Sequence, residues 1–169
     1  MTNSDKTSPD ALGPDVVDQR TIDELSGHCF GCGPNNPQGL HLVFTLDPLT
    51  DSVTAPVELN EAHQGAPGYI HGGLIATLLD EAMSKLNQPL GVLAMTRHID
   101  IDYLRPAPIR QPLTLSGRHL RRDGRKLFHV AELHNASGNL LARCTGLWII
   151  IPRDALPLTP PNTPLVEPA

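Results

Sequence analysis

One stretch leaves this chain few ways to fold. Gly68-Tyr69-Ile70-His71-Gly72-Gly73-Leu74-Ile75-Ala76-Thr77-Leu78-Leu79-Asp80-Glu81-Ala82-Met83 reads as a loop that turns abruptly into a helix. Placed at about 100° per residue, Leu74, Ile75, Leu78, Leu79, Ala82 and Leu86 share one stripe, the face an amphipathic helix buries. The other face carries Gly73, Ala76, Thr77, Asp80 and Ser84. A helix turned to plain solvent usually shows long Lys, Glu and Arg side chains there. This face is small, with one acid at its middle, so a ligand or a second backbone can come close to it.

Gly72 and Gly73 stand where the first N–H groups of a helix have no partner within it. Those donors and the helix dipole favour an anion or a carbonyl oxygen, and bare glycine backbone lets it approach. Asp80, eight residues beyond Gly72, lies about 12 Å further along the axis at a rise of about 1.5 Å per residue. One small reacting group cannot touch both in the same chain. Two such helices running antiparallel would bring Asp80 of one beside the Gly72 end of the other, so the spacing points to a site shared by two subunits.

The remaining elements follow from pattern and punctuation. Leu40–Leu46 and Val53–Leu59 alternate around Asp47-Pro48 and predict a first hairpin; the residues from Asn60 to Ile70 form a loop, and the helix stops near Asn87 before Pro89. Strands are expected at Gly91–Tyr103, Leu113–Arg121, Arg125–Asn135 and Leu140–Ile151, with turns at Asp123-Gly124 and Ser137-Gly138-Asn139. Strands in a row around one long helix give an α+β fold, an antiparallel sheet wrapped around that helix. The domain is expected over residues 21–152, with a helical turn at Thr21–Leu25. A flexible arm (1–20) precedes it, and a tail (153–169) too rich in proline for a regular element follows.

Composition narrows the function classes. A net charge of −5 speaks against a general nucleic-acid binder. No stretch reaches the roughly 18 apolar residues of a membrane span, and Met1–Asp15 lacks the apolar core of a signal peptide. Three cysteines cannot all pair, which fits a reducing cytoplasm.

With His71-Gly72-Gly73, the small apolar run and Asp80 nine residues after the His, the chain resembles the hot-dog-fold acyl-CoA thioesterases of the phenylacetate-pathway (PaaI-like) type. Thr96 opens a strand ending Asp102-Tyr103-Leu104-Arg105-Pro106, similar to the strand that follows the helix in that family. Cys29-Phe30-Gly31-Cys32-Gly33 with Asn36-Pro37-Gln38-Gly39-Leu40, and His63-Gln64-Gly65 before the His-Gly-Gly, resemble a subgroup of it. The resemblance runs from about Cys29 to Ile151. It implies hydrolysis of an acyl-CoA to the free acid and coenzyme A, without metal or redox cofactor, by a homodimer that often pairs into a tetramer.

The site residues carry alternatives. Asp80 is implied as nucleophile or general base; the plain alternative is an exposed or capping acid. Glu81, turned about 100° away, is a secondary candidate, since related enzymes use Glu, although a salt-bridged surface role suits its flank. The Gly72 N–H would polarise the thioester carbonyl, or the glycines serve only a tight turn. His71 either orients the site or caps the turn. Thr96 enters through the resemblance as a hydroxyl near the nucleophile or its water. Gly73, Asn36 and His63 are candidate substrate contacts. Arg121, Arg122 and Arg125, with Arg118 and Lys126 around the same hairpin, could grip coenzyme A phosphates or form a solvated tip. Cys29 and Cys32 are half of a zinc ligand set, but His28, His41 and Cys144 are not at the usual paired spacing, so a tight turn beside the pocket is preferred. The rivals to an enzyme are an acyl-CoA-binding protein without catalysis, and a zinc-stapled interaction module; a hydratase of the same fold would want its Asp–His pair placed differently.

Overall fold

A computed structural model describes residues 26–152 and residue 155. The arm, the turn expected at Thr21–Leu25 and, apart from Ala155, the tail lie outside the described residues. Six strands form one antiparallel sheet: β1 (Thr45–Asp47), β2 (Ser52–Val57), β3 (Ala94–Tyr103), β4 (Leu113–Asp123), β5 (Lys126–Asn135) and β6 (Leu140–Ile150), in the order β1-β2-β4-β5-β6-β3. The helix α1 (Gly72–Lys85) lies across β4, β5 and β6. This is the α+β hot-dog architecture expected from the strand and helix pattern.

Ile75, Leu78, Leu79, Ala82 and Met83 are buried on α1, and Leu115, Leu127, Leu133, Trp148 and Ile150 meet them from the sheet. Leu74, expected in that stripe, is only partly buried, while Met83, absent from it, is fully buried. The helix sits close to β4 because residue 117 has no side chain. A Cβ on Gly117 would stand 2.9 Å from the Ala82 carbonyl oxygen. The expected turns hold at Gly124 and Gly138, whose φ of 57° and 79° are backbone angles that glycine adopts without strain.

The first hairpin is much shorter than expected. Only Thr45–Asp47 pairs with β2, and all three residues are exposed. The chain before it is committed elsewhere: Leu40 N–H donates to the Phe30 carbonyl at 2.8 Å and Leu42 N–H to Gly31 at 2.9 Å. Leu42 is buried against the core, but residues 40–44 are tied to the Cys29–Gly33 loop and make no ladder with β2. Strand β3 begins at Ala94 rather than Gly91, and the helix ends at Lys85 with Leu86 as its cap. Among the described residues, no helix is long and apolar enough to cross a membrane.

The element that matters most for the site is β3. Among the described residues it is a sheet edge ten residues long, bonded to β6 on one side only, with Met95 and Tyr103 more than half exposed. Unpaired edges of that length invite another strand.

Candidate active site

The start of α1 is held from three directions. His71 is its cap residue, with φ −62° and ψ 135°, and its Nδ1 accepts the Gly73 N–H at 2.9 Å. The His71 carbonyl takes the Leu74 and Ile75 N–H groups, while its own N–H donates to the His63 carbonyl at 2.9 Å. Upstream, Ile70 N–H donates to Ala107 at 2.8 Å and Ile109 N–H to Gly68 at 3.1 Å, tying the loop to the connection after β3. The Tyr103 hydroxyl donates to the Gly72 carbonyl at 3.1 Å. One donor is left over: among the described residues, nothing accepts the Gly72 N–H. Side-chain capping of Gly73 therefore leaves the neighbouring amide as the exposed end of the helix dipole. The same cap occupies the Gly73 N–H, so Gly73 itself offers only its missing side chain to a ligand.

A cleft of about 780 Å³ opens beside that donor, lined by Tyr69, His71, Gly72, Ile75, Tyr103 and Pro106 among others. Its size is that of a small-molecule site. Tyr103 was not among the expected site residues. Its signal was present, since it closes the β3 pattern next to Arg105-Pro106, but nothing in the sequence says that its hydroxyl turns toward the helix start.

Asp80 lies two turns along the small face. It is partly buried, and its Oδ1 accepts the Thr96 hydroxyl of β3 at 2.9 Å. Burial raises its pKa above that of a free aspartate; the Thr96 hydrogen bond opposes the rise and the adjacent Glu81 charge adds to it. A carboxylate so placed is a better base or nucleophile than one in water. Thr96 and Asp80, sixteen residues apart in sequence, are thus brought together.

Glu81 turns away from this face. Its Oε2 accepts the Cys29 thiol at 3.4 Å and its Oε1 lies 3.7 Å from Lys85 Nζ, in a second cleft of about 230 Å³ that Cys32 and Ser84 also line. Burial, with the Glu81 carboxylate beside it, pushes the Cys32 thiol up to about 12. Asn36 shapes its own loop, accepting from Gln38 N–H at 3.0 Å and donating to the His28 carbonyl at 3.3 Å. His63 Nδ1 accepts the Asn60 N–H at 3.3 Å. The hairpin arginines also have partners within the protein. Arg121 lies 3.6 Å above the Phe128 ring, Arg122 donates to Gly124, and Arg125 donates twice to the Ile150 carbonyl.

A further polar group escaped sequence reasoning. His129 is fully buried under Trp148, with Nε2 3.1 Å from Asn87 Oδ1 and Nδ1 3.2 Å from His119 Nδ1. Burial, and the neighbouring His119, push its pKa down to about 3. It is therefore a neutral core residue whose ring nitrogens are both satisfied.

The chain is similar to known proteins in sequence and in fold. The family profile of the thioesterase superfamily matches residues 67–142, from the loop before α1 into β6. Rat acyl-coenzyme A thioesterase THEM4 is 33% identical over 97 residues, which are 57% of this chain and 41% of that protein. The chain thus spans less than half the length of that relative. Human acyl-coenzyme A thioesterase 13 is 30% identical over 94 residues, covering 54% of this chain and 67% of that one. Among solved structures, a thioesterase superfamily protein aligns with a TM-score of 0.70 and 33% identity over 79% of this chain and 68% of its own.

Proposed function

The chain belongs to the thioesterase superfamily, and from that premise we propose that it hydrolyses an acyl-CoA thioester to the free acid and coenzyme A. The observation that carries the proposal is a matched pair. Gly72 presents an unpartnered N–H at a helix start, and Asp80 presents a half-buried carboxylate fixed by Thr96.

In this reading the thioester oxygen accepts the Gly72 N–H, which stabilises the negative charge that develops when the carbonyl carbon is attacked. Asp80 drives the attack, either by bonding to that carbon or by taking a proton from a water that does so. The C–S bond then breaks and the leaving thiolate takes up a proton, on the general-base route the one that Asp80 took from water; where Asp80 itself has bonded to the carbon, a water then hydrolyses the Asp80–acyl anhydride, and on either route the acyl group departs as a carboxylate. The step so written calls for no metal and no redox partner.

The two groups are about 12 Å apart along one helix, so the reacting carbonyl meets Gly72 of one chain and Asp80 of another. A homodimer supplies that arrangement if two α1 helices lie antiparallel and the exposed β3 edges pair into one sheet. Such dimers can pair again. The partly exposed small face of α1 and the exposed Met95 fit burial in this interface. Arg121, Arg122 and Arg125 surround the β4–β5 turn, where they suit the phosphates of coenzyme A. A cytoplasmic setting fits three unpaired thiols.

The test is hydrolysis of a panel of short, long and aryl acyl-CoAs, followed by thiol release. At least one should turn over, and Asp80→Asn should lose on the order of 10² or more in kcat while keeping its fold. Tight binding without turnover would make the protein an acyl-CoA-binding module.

A further inference from the structure

The loop Cys29–Gly33 brings two thiols to a carboxylate from a distant part of the chain. Cys29 Sγ, Cys32 Sγ and one oxygen of Glu81 all lie within 4.8 Å of one another, and all three residues are only partly exposed. The third donor is the one the sequence does not disclose, because Glu81 lies on α1 while the Cys-x-x-Cys pair lies 52 residues upstream at its first member.

The one close spacing, between Cys29 and Glu81, is that of two donors on a shared metal ion. A tetrahedral zinc with Zn–S of about 2.3 Å and Zn–O of about 2.0 Å sets sulfur and oxygen about 3.5 Å apart. Cys29 Sγ and Glu81 Oε2 stand 3.4 Å apart. A Cβ on residue 31 would come 2.5 Å from Glu81 Oε2, so the bare Gly31 backbone leaves that carboxylate room beside Cys29. Gly33 closes the same turn, its N–H donating to the Cys29 carbonyl at 2.9 Å, and a Cβ there would strike the Cys29 backbone. A loop used only as a turn needs no thiols aimed at an acid.

We infer that Cys29, Cys32 and Glu81 bind one divalent cation of the zinc class, with the fourth position open to water in the adjoining cleft of about 230 Å³. Two thiolates and a carboxylate suit Zn²⁺ and exclude the oxygen-seeking Mg²⁺ and Ca²⁺. Binding releases the two thiol protons to solvent. The three anionic donors leave the bound ion one negative charge in excess, and Lys85, 3.7 Å from Glu81, balances it from outside the shell. The metal would staple the Cys29–Gly33 loop to α1 at the residue next to Asp80. Its work is to hold that face, not to touch the thioester.

The test uses the full chain, freed of metal by chelation and kept under a reductant that is not itself a thiol. Co²⁺ should give a thiolate-to-cobalt charge-transfer band that saturates at one ion per chain and disappears when Zn²⁺ displaces it. Cys29→Ser and Cys32→Ser should abolish the band. Glu81→Gln should weaken binding by more than the roughly 10–100-fold lost with even an outer partner of a metal site. Zn²⁺ should raise the Tm of the unsubstituted chain and leave that of the cysteine variants unchanged. A second measurement needs no variant. Alkylation followed by peptide mapping should label Cys29 and Cys32 without metal and neither with Zn²⁺. The site is overturned if no band forms, if Zn²⁺ leaves both cysteines open to alkylation, or if oxidation joins them in a disulfide while the reduced protein takes up no metal.

Discussion

A free aspartate is almost wholly ionised at neutral pH and correspondingly weak as a base. Asp80 departs from that state because its partial burial penalises the charge, while the Thr96 hydroxyl, 2.9 Å away, supports it. The balance predicts how rate follows pH. In the proposed mechanism activity needs the carboxylate, so it should fall as pH drops through the raised pKa, and the acid limb of kcat/KM should lie above the value of about 3.9 for a free aspartate. Thr96→Val removes the one contact that lowers the pKa, so the limb should move to higher pH and the loss should be greater at mildly acidic pH than at pH 8. A rate loss equal at every pH would mean that Thr96 serves packing alone. The same burial makes ionised Asp80 a cost to the folded state. Asp80→Asn should therefore unfold at a Tm no lower than that of the unsubstituted chain at neutral pH, while its hydrolysis is lost.

At the scale of the element, the work of α1 is divided between its first turn and its flank. Gly72 is the first helical residue, a position that tolerates proline because its N–H bonds nothing in the helix, and His71 already has the extended ψ of 135° that precedes proline without strain. Gly72→Pro thus removes the proposed donor and keeps the helix. It should lose about 10²–10³ in kcat, the scale for one oxyanion donor. Gly72→Ala keeps the N–H, and its Cβ would meet the Tyr103 ring at an ordinary 3.7 Å, so it should lose far less. Equal losses would mean that the backbone N–H is not the donor. On the flank, Gly117→Ala drives a Cβ to 2.9 Å from the Ala82 carbonyl oxygen and 3.1 Å from Val53. Denaturant unfolding should show it less stable by about 1–3 kcal/mol, the usual cost of overpacking. These elements differed in how far the sequence disclosed them. The buried stripe of α1 and the strands β3 to β6 were legible because hydrophobic period and glycine turns are local signals. The first hairpin was not. Leu40 and Leu42 alternate like a strand, but their N–H groups are taken by Phe30 and Gly31, a choice made by tertiary contact. The Glu81–Cys29 contact and the Tyr103 hydroxyl on Gly72 were hidden for the same reason: each joins residues far apart along the chain.

For the whole molecule, the sheet and the site make the same demand. Among the described residues β3 leaves a ten-residue edge unpaired, and the Gly72 and Asp80 groups sit too far apart on one helix to act on one carbonyl. The proposed dimer would resolve both at once, and sedimentation should then find the protein as a dimer or a pair of dimers. The most direct test of a shared site is to mix two dead chains. Gly72→Pro and Asp80→Asn proteins are each nearly inactive alone, and after they are unfolded together and refolded, the mixed dimers contain one site with both defects and one with neither. With random pairing of equal amounts, the shared-site account predicts recovery of about a quarter of the unsubstituted activity. If the mixture stays as inactive as its parts while mixed dimers are demonstrably present, Gly72 and Asp80 do not meet across subunits, and the account is contradicted.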